Sequence, residues 1–321
     1  MTRVAVASRS FARNAVLRAE LSGRYQDVTF SQSAAVLTGD ALVELLRGYD
    51  SAIVGLERID GPLLAQLPEL KVVSKYGVGL DGLDLAAIAQ AGVKLGWTGG
   101  VNRRSVAELT LAFAIALLHR VPETSVALRG GGFHPLVGRQ LSGRVVGLIG
   151  CGFVGQELVS LLAPFGCRLL VHDLRDYPAF YANHGVEPVS LDQLLSTSDL
   201  VTLHVPLDDS TRGMIGAPEL ARMQKGACLI NAARGGLVDE AALVAALSSG
   251  HLGGAACDVF QWEPDANPAL LALPTFLGTP HIGGSTAEAQ LAMGRAAIAG
   301  LEDAQLLGPN HPVILSQEAG Q

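Results

Sequence analysis

The sequence is poor in aromatic and in charged residues. Aromatic side chains make up 5% of the 321 residues and charged side chains 17%, whereas 49% are hydrophobic and 38 are glycine. This composition excludes disordered and collagen-like chains. The formal net charge is −7, from 23 basic and 30 acidic residues, and it argues against a nucleic-acid partner. The length predicts about two domains.

Cysteine is sparse, and no long apolar run is present. No cysteine belongs to a C-x-x-C pair or has a histidine at metal-ligand spacing; they are Cys151, Cys167, Cys228 and Cys257. We therefore expect small buried residues in a reduced, cytoplasmic protein that needs no metal. The longest apolar stretch, 109–118, has ten residues, which is too short to span a membrane. The chain begins with a strand-like run, so we expect neither a signal peptide nor a membrane partner.

Short β-branched runs alternate with helix-length amphipathic stretches along most of the chain. This alternation predicts α/β architecture with parallel sheets. Strands are predicted at 4–7, 52–55, 71–75, 93–95, 145–149, 168–172, 200–204, 227–231 and 255–259. Helices are predicted at 40–46, 83–91 and 156–165.

Two Ser-x-x-Glu capping boxes predict the starts of long connecting helices. They begin at Ser105 and at Ser285, with Glu108 and Glu288 three residues further on. The simplest topology is two doubly wound parallel-sheet domains, with a Rossmann nucleotide-binding domain inserted into a flavodoxin-like substrate domain. We expect the inserted domain at 102–284 and the substrate domain at 1–101 plus 285–321.

A glycine motif directly follows the predicted strand 145–149 and opens a helix. It consists of Gly150, Gly152, Phe153, Val154 and Gly155, with Cys151 between the first two glycines. This context is typical of a loop and helix N-terminus that hold the pyrophosphate of a dinucleotide. Asp173 stands 18 residues after the last glycine, where a carboxylate accepts ribose hydroxyls and favours NAD. Arg175 leaves NADP open, because it is either a partner for a 2′-phosphate or a solvated loop charge.

Three further segments carry a resemblance to a known family. They are Asn-Ala-Ala-Arg-Gly-Gly-Leu-Val-Asp at 231–239, Asp-Val-Phe-Gln-Trp-Glu-Pro at 258–264, and Thr-Pro-His-Ile-Gly-Gly-Ser-Thr at 279–286. In this order, behind a dinucleotide motif, they resemble the D-isomer specific 2-hydroxyacid dehydrogenases, which include D-3-phosphoglycerate dehydrogenase and glyoxylate/hydroxypyruvate reductase. The resemblance implies NAD-dependent reduction of a small 2-oxo acid to a D-2-hydroxy acid, or the reverse. It also implies a homodimer, with an arm near 120–140.

The family assigns catalytic roles that suit these residue types. Arg234 would clamp the substrate carboxylate and 2-oxo group, and His281 would exchange the proton. Glu263 would orient the imidazole and favour its protonated form by its charge. Each residue also has a purely structural alternative. Arg234 is then an ion-pair partner, His281 a loop histidine with satisfied hydrogen bonds, and Glu263 a turn residue.

The resemblance extends to further contacts. It implies cofactor contacts from Pro206, Thr211, Ala232, Ala233, Asp258, Gly283 and Gly284. His204 ends a predicted strand, and we expect it to line the cofactor site rather than react. The loop 74–81 resembles the segment whose amides hold the substrate carboxylate, which implies binding by Gly77 and Val78 with Lys75 as an added cation.

The sequence departs from many relatives at Lys75 and at the bulky Tyr76. We therefore expect a distinct 2-oxo acid pocket, bounded by Leu56, Arg58 and Tyr76. Glu263 argues against formate oxidation, for which that branch of the family has Gln. Two alternatives stay open: a phosphite or phosphono-acid dehydrogenase on the same scaffold, and a non-enzymatic NADH-sensing scaffold of the C-terminal-binding-protein type. The sequence leaves open which 2-hydroxy acid is used and in which direction.

Overall fold

The computed structural model describes residues 2–308, 311 and 313. Residues 309–310, 312 and 314–321, which the sequence places in the substrate domain, lie outside the described residues. The chain divides into two compact units, one formed by Met1–Asn102 with Thr286–Gln321 and the other by Arg103–Ser285. Each unit has its own sheet and its own core.

The elements alternate along the chain as expected for α/β architecture. In the described residues the strands are β1 (Arg3–Val6), β2 (Asp27–Phe30), β3 (Ser51–Val54), β4 (Val72–Lys75), β5 (Lys94–Gly96), β6 (Val145–Ile149), β7 (Arg168–His172), β8 (Val186–Pro188), β9 (Leu200–Leu203), β10 (Cys228–Asn231), β11 (Gly254–Cys257), β12 (Phe276–Gly278) and β13 (Gln305–Leu306). The helices are α1 (Arg9–Arg13), α2 (Ala15–Arg24), α3 (Gly39–Leu46), α4 (Gly61–Leu64), α5 (Leu85–Gln90), α6 (Arg103–Leu118), α7 (Val121–Arg129), α8 (Phe153–Leu162), α9 (Pro178–His184), α10 (Leu191–Thr197), α11 (Ala217–Arg222), α12 (Glu240–Ser248), α13 (Pro268–Leu271) and α14 (Ala287–Gly300). A short 3-10 turn, Ala163–Phe165, continues α8.

The first unit contains a six-stranded sheet of order β13-β5-β4-β3-β1-β2. The strands pair in parallel except for β13, which is antiparallel to β5. Both faces are apolar because successive side chains alternate: Val4 and Val6 join a cluster with α1, α2 and α14, whereas Ala5 joins a cluster with α3 and α5. The order β2-β1-β3-β4-β5 is that of flavodoxin-like sheets.

The second unit contains a seven-stranded parallel sheet of order β12-β11-β10-β9-β6-β7-β8. The chain starts in the middle at β6, moves outward to β8, and then returns to fill the other half, which is the doubly wound dinucleotide-binding order. Two apolar clusters lie on opposite faces of the sheet. The carboxyl ends of β6 and β9 meet at the point where the order reverses, which is where this fold binds ligands.

The two predicted capping boxes are wrong in position. Helix α6 begins at Arg103, so Ser105 lies inside it, and its hydroxyl donates to the Gly283 carbonyl at 2.5 Å. Helix α14 is capped by Thr286 rather than Ser285, since the Thr286 hydroxyl accepts from the Ala289 amide at 3.2 Å. Both helices exist, but the pattern Ser-x-x-Glu fits neither start.

The remaining differences from the predicted elements are at ends and edges. Helix α8 begins at Phe153 rather than at 156, and the edge strands β2, β8, β12 and β13 were not predicted. No single helix in the described part of the chain is long and apolar enough to cross a membrane. Helices α6 and α7 meet at 67°, and only the two taken together have the length and composition of a membrane span.

Candidate active site

The glycine motif forms the loop between β6 and α8. Gly150 has a φ of 97°, and a Cβ there would lie 2.6 Å from the His204 carbonyl oxygen. A Cβ at Gly155 would collide with the Gly150 carbonyl oxygen, whereas a Cβ at Gly152 would meet nothing within 4 Å. The first and third glycines are thus required by the fold, and the second faces open space. Among the residues that the structure describes, no side chain caps α8, so its N-terminal amides are available to a pyrophosphate.

Asp173 follows β7 and is held against this loop. One carboxylate oxygen accepts from the Cys151 amide at 2.5 Å and the other from the Arg175 amide at 2.8 Å. A cavity of about 260 Å³ opens beside it, lined by Val171, Asp173, Leu174, Arg175, Asp176, Tyr181, Pro188 and Val189. A cavity with a carboxylate at its edge, next to a glycine loop and a bare helix N-terminus, fits the adenosine half of NAD.

The segment after β9 contains three of the predicted cofactor contacts. The Thr211 hydroxyl donates to the Pro206 carbonyl at 2.8 Å and accepts from the Asp208 amide at 2.9 Å, so it shapes this loop. The His204 ring lies 3.1 Å from the Thr202 hydroxyl. Burial lowers the pKa of His204 to about 4, so its imidazole is neutral at pH 7 and unsuited to donate a proton in the reaction.

Arg234 is placed by the turn that follows β10. The side chain of Asn231, the last residue of the strand, donates to the Arg234 carbonyl at 2.8 Å and accepts from the Ala233 amide at 3.1 Å. The Arg234 guanidinium donates to the Ala233 carbonyl at 2.7 Å. Ala232 is buried, and a Cβ at Gly235 would collide with the Phe260 carbonyl oxygen. The sequence assigned no role to Asn231, although it is the first residue of this motif.

Asp258 organises the segment that contains His281. It is 1% exposed, and its carboxylate accepts from the Thr279 hydroxyl at 2.6 Å and from the amides of Ile282 and Gly283 at 2.7 Å each. The His281 amide donates to the Asp258 carbonyl at 2.8 Å. The resemblance implies that Asp258 contacts the cofactor; in this structure both of its oxygens bind the protein. Thr279 was missed by sequence reasoning as part of this arrangement.

His281 and Glu263 form a close pair. His281 Nδ1 lies 2.8 Å from Glu263 Oε2, and the other carboxylate oxygen accepts from the Phe260 amide at 3.0 Å. His281 has a φ of 54°, which is rare for a residue other than glycine and is found where the surrounding structure fixes a functional side chain. The described residues give Nε2 no partner, and the imidazole side chain is 49% exposed. This arrangement allows Nε2 to exchange a proton with a bound ligand.

The cysteines do not belong to this chemistry. All four are free, and Cys167 is partly exposed, contrary to the expectation that each is buried. Burial, and next the Asp173 charge, raises the pKa of the Cys151 thiol to about 12, so the thiol is protonated at pH 7. Among the described residues, no group of three or more His, Cys, Asp or Glu could hold a metal ion.

The first unit contains the loop predicted to hold the substrate carboxylate. The Lys75 ammonium, 6% exposed at the end of β4, donates to the carbonyls of Gly55 at 2.6 Å and Tyr76 at 3.2 Å. Gly77 has a φ of 108°, which favours glycine. Half-buried Val78 accepts at its carbonyl from the Trp97 indole at 3.0 Å.

The structure does not support Tyr76 as part of the predicted pocket wall. Tyr76 is 8% exposed, belongs to an apolar cluster of the first unit, and packs edge-to-face on Phe11 with 5.8 Å between ring centroids. Leu56 is 75% exposed, and exposed Arg58 pairs with Asp60 at 3.1 Å. Tyr76 is therefore a core residue.

Comparisons with known proteins identify the family. The sequence model for the D-isomer specific 2-hydroxyacid dehydrogenase, NAD binding domain, matches residues 111–283. The chain is 36% identical to the hydroxypyruvate reductase of Thermotoga maritima over 80% of this chain and 85% of that protein. It is 38% identical to the D-3-phosphoglycerate dehydrogenase of Mycobacterium tuberculosis over 78% of this chain, and it spans about half of that longer relative, 48%.

Among solved structures, a glyoxylate reductase from Paecilomyes thermophila superimposes with a TM-score of 0.84 at 27% identity, over 94% of this chain and 95% of that one. The matched domain confirms the resemblance seen in the three motifs and the prediction of NAD as cofactor. The chain belongs to the D-isomer specific 2-hydroxyacid dehydrogenase family.

Proposed function

We propose that this chain is an NAD(H)-dependent reductase of small 2-oxo acids that forms D-2-hydroxy acids, or runs in reverse. The observation that carries the proposal is the Glu263–His281 pair at 2.8 Å, whose Nε2 has no partner in the described residues. Both residues of the pair come after Asp258 in the chain, within the domain that matches the family's NAD-binding model. Relatives named hydroxypyruvate reductase and glyoxylate reductase support this substrate class.

NADH, when bound, supplies the hydride that adds to the substrate carbonyl carbon. Gly150, Gly152 and the bare N-terminus of α8 would hold its pyrophosphate, and Asp173 its adenosine ribose. The Arg234 guanidinium, a permanent planar cation, orients the carboxylate and the 2-oxo group. His281 donates its Nε2 proton to the carbonyl oxygen while Glu263 holds Nδ1 and stabilises the imidazolium charge.

The experiment follows NADH absorbance with purified protein and a panel of glyoxylate, hydroxypyruvate, pyruvate, longer, aromatic and phosphono 2-oxo acids. We expect clear turnover by the parent chain. His281→Gln should lower kcat/KM by about 10²–10⁴-fold, the usual effect of losing a positioned acid/base. His251→Gln is the matched control, because His251 Nε2 contacts the Leu220 carbonyl at 3.0 Å and a glutamine amide can replace that donor.

Two results would contradict the proposal. Equal turnover by His281→Gln and the parent would remove His281 from the reaction. NADH binding without turnover of any acid in the panel would exclude reduction of these substrates and favour the sensing role that the sequence left open. The same panel ranks the substrates, since pocket shape depends on packing rather than on motifs.

We propose that NADH is preferred over NADPH. The Asp173 carboxylate, fixed by two backbone amides at the edge of the cavity, repels a 2′-phosphate. Arg175 lines the same cavity and is the residue that would favour NADPH. Asp173→Asn, which keeps the shape and removes the charge, should raise the kcat/KM ratio of NADPH to NADH about tenfold or more. An unchanged ratio would show that Asp173 does not select the coenzyme.

We propose that the chain forms a homodimer through residues 120–140. The support is a group of exposed apolar side chains in this stretch: Val121, Val126, Leu128, Phe133, Leu136 and Val137, with Phe133 87% and Val137 92% exposed. Light scattering should give twice the chain mass, and Phe133→Ser with Val137→Ser should give the monomer mass. A monomeric parent would refute the dimer. The cytoplasmic location stays a prediction.

A further inference from the structure

Three successive backbone amides in the first unit donate to no acceptor among the described residues. They belong to Gly77, Val78 and Gly79, in the half-buried loop after β4. Within the described part of the chain, no hydrogen bond uses any of these three N–H groups. Successive backbone N–H groups that no protein acceptor uses can together bind an anion.

The carbonyl groups of this loop, in contrast, are held. The Tyr76 carbonyl accepts from the Lys75 ammonium at 3.2 Å, and the Val78 carbonyl accepts from the Trp97 indole at 3.0 Å. These peptide bonds are trans, so each N–H points opposite to the carbonyl that precedes it. The Gly77 amide therefore points away from Lys75, and the Gly79 amide points away from Trp97.

The position of Lys75 is itself fixed by a buried network. Its ammonium donates to the Gly55 carbonyl at 2.6 Å, and the Gly55 amide donates to Glu57 Oε2 at 2.6 Å. Glu57 is 1% exposed and Lys75 6% exposed. A Cβ at Gly77 would lie 3.5 Å from the Lys75 nitrogen, so the ammonium charge lies directly beside the loop.

We propose that Lys75 and Trp97 are positioning residues. By donating hydrogen bonds to the Tyr76 and Val78 carbonyls, they orient the loop so that its amides point towards the substrate carboxylate. The identity of the anion rests on the proposed function. The sequence predicted Lys75 as a direct substrate contact, whereas this geometry gives it an indirect role. Trp97 is a residue of substrate recognition that the sequence did not predict.

The test is Trp97→Phe, which keeps an aromatic ring against the apolar cluster of the first unit and removes the N–H donor. KM for glyoxylate should rise about five- to tenfold, the effect of roughly one hydrogen bond, with kcat within about twofold. Lys75→Met, which also removes the charge, should raise KM at least as much. The uncharged amide pyruvamide should be affected less than pyruvate, because the loop recognises the carboxylate.

Tyr49→Phe is the matched control, since it removes one side-chain hydrogen bond of the same unit, from Tyr49 to the Thr29 hydroxyl at 2.6 Å. It should lower the melting temperature without changing KM. The dissociation constant of NADH should be unchanged in Trp97→Phe. If KM stays at the parent value, or if pyruvamide and pyruvate are affected equally, the positioning role is wrong.

A binding measurement separates this inference from the proposed activity. Calorimetric titration of the NADH-saturated protein with oxamate, a small carboxylate, requires no turnover. Trp97→Phe should bind oxamate about five- to tenfold more weakly than the parent. Equal affinity, or no binding of oxamate by the parent, overturns the inference even if the parent reduces 2-oxo acids.

Discussion

Two tyrosines of the first unit differ in how their hydroxyl groups are satisfied. The Tyr76 hydroxyl is buried without a hydrogen-bond partner among the described residues, and burial raises its pKa. The Tyr49 hydroxyl donates to Thr29 at 2.6 Å. Tyr76→Phe should therefore stabilise the protein by about 1 kcal/mol, because it removes an unpaired polar group, whereas Tyr49→Phe should destabilise it by about as much. Urea unfolding of both variants measures the two effects.

A loss of stability in Tyr76→Phe would contradict this prediction, since it would mean that the hydroxyl has a partner. The sequence placed Tyr76 in a pocket because a bulky residue stands where many relatives have a small one. Its ring instead belongs to a cluster with Met293, which lies over 200 residues away in the chain. A motif does not encode that packing.

His204 should make stability depend on pH. Its pKa is about 4 in the folded protein and about 6.5 in the unfolded chain. Well above pH 6.5 both states are neutral and the group contributes no pH dependence. As the pH falls from 6.5 to 4, only the unfolded state takes up the proton, so the free energy of unfolding should fall by on the order of 3 kcal/mol.

His204→Gln lacks this titration, so its stability should change less over the same pH range. Urea unfolding of both proteins at pH 7, 6, 5 and 4.5 makes the comparison. The carboxylates that titrate in this pH range are present in both proteins, so they do not account for a difference between them. Parallel curves would show that the folded protein protonates His204 normally. The sequence predicted that His204 does not react, and a neutral imidazole at pH 7 is consistent with this prediction.

The two residues predicted to exchange the proton show what motif spacing can supply. Glu263 and His281, 18 residues apart, were named from the motifs alone, and the structure places them at 2.8 Å. Their roles stay predictions until turnover is measured. The interactions of Asn231 and Asp258 with backbone amides could not be derived, because they depend on how neighbouring turns meet at the ends of β10 and β11.

At the scale of elements, only one of two adjacent hydroxyl residues, Ser285 and Thr286, caps the N-terminus of α14. Thr286 accepts from the Ala289 amide at 3.2 Å and is the N-cap of the helix. Thr286→Ala should lower the free energy of unfolding by about 1 kcal/mol, the usual value of an N-cap. Ser285→Ala is the control and should change it by less than about 0.5 kcal/mol. Equal losses in both variants would show that the cap does not account for the effect.

The strands of the sheet interiors were more predictable than the edges. The prediction of β6 and β7 is confirmed to the residue, since buried strands of parallel sheets are continuous apolar runs. The edge strands β2 and β13 include partly or fully exposed residues and lack that signal. The predicted helix starts at Ser105 and Ser285 were wrong because a serine or threonine near a glutamate is common, and only the backbone decides which residue caps the helix.

At the scale of the whole chain, the predicted fold class and family are confirmed. Domain boundaries were predicted at 101/102 and 284/285, and the structure divides at 102/103 and 285/286. The insertion was predictable because one connecting helix was predicted before the middle block of the chain and another at its end. The division of roles between the two units stays a proposal.

The first unit needs its distant C-terminal segment. Helix α14 supplies Met293, Ala297 and Ile298 to the apolar cluster that includes Val4 and Phe11. The Ser74 hydroxyl donates to the Ala297 carbonyl at 2.6 Å, and β13 pairs with β5. Residues 1–102 alone would keep the cover that α1 and α2 give this face of the sheet but would lose that of α14. Each large side chain exposed in this way costs about 1.5–3 kcal/mol.

We therefore expect different behaviour from three fragments. Residues 103–285 carry a complete sheet with both faces covered, so this fragment should unfold cooperatively in urea and bind NADH. Residues 1–102 should show no cooperative transition. The same residues joined to 286–321 by a flexible glycine-serine linker should regain one, because α14 and β13 are restored. If 1–102 unfolds as cooperatively as the joined fragment, α14 is not part of the first unit's core; circular dichroism during urea titration distinguishes these outcomes.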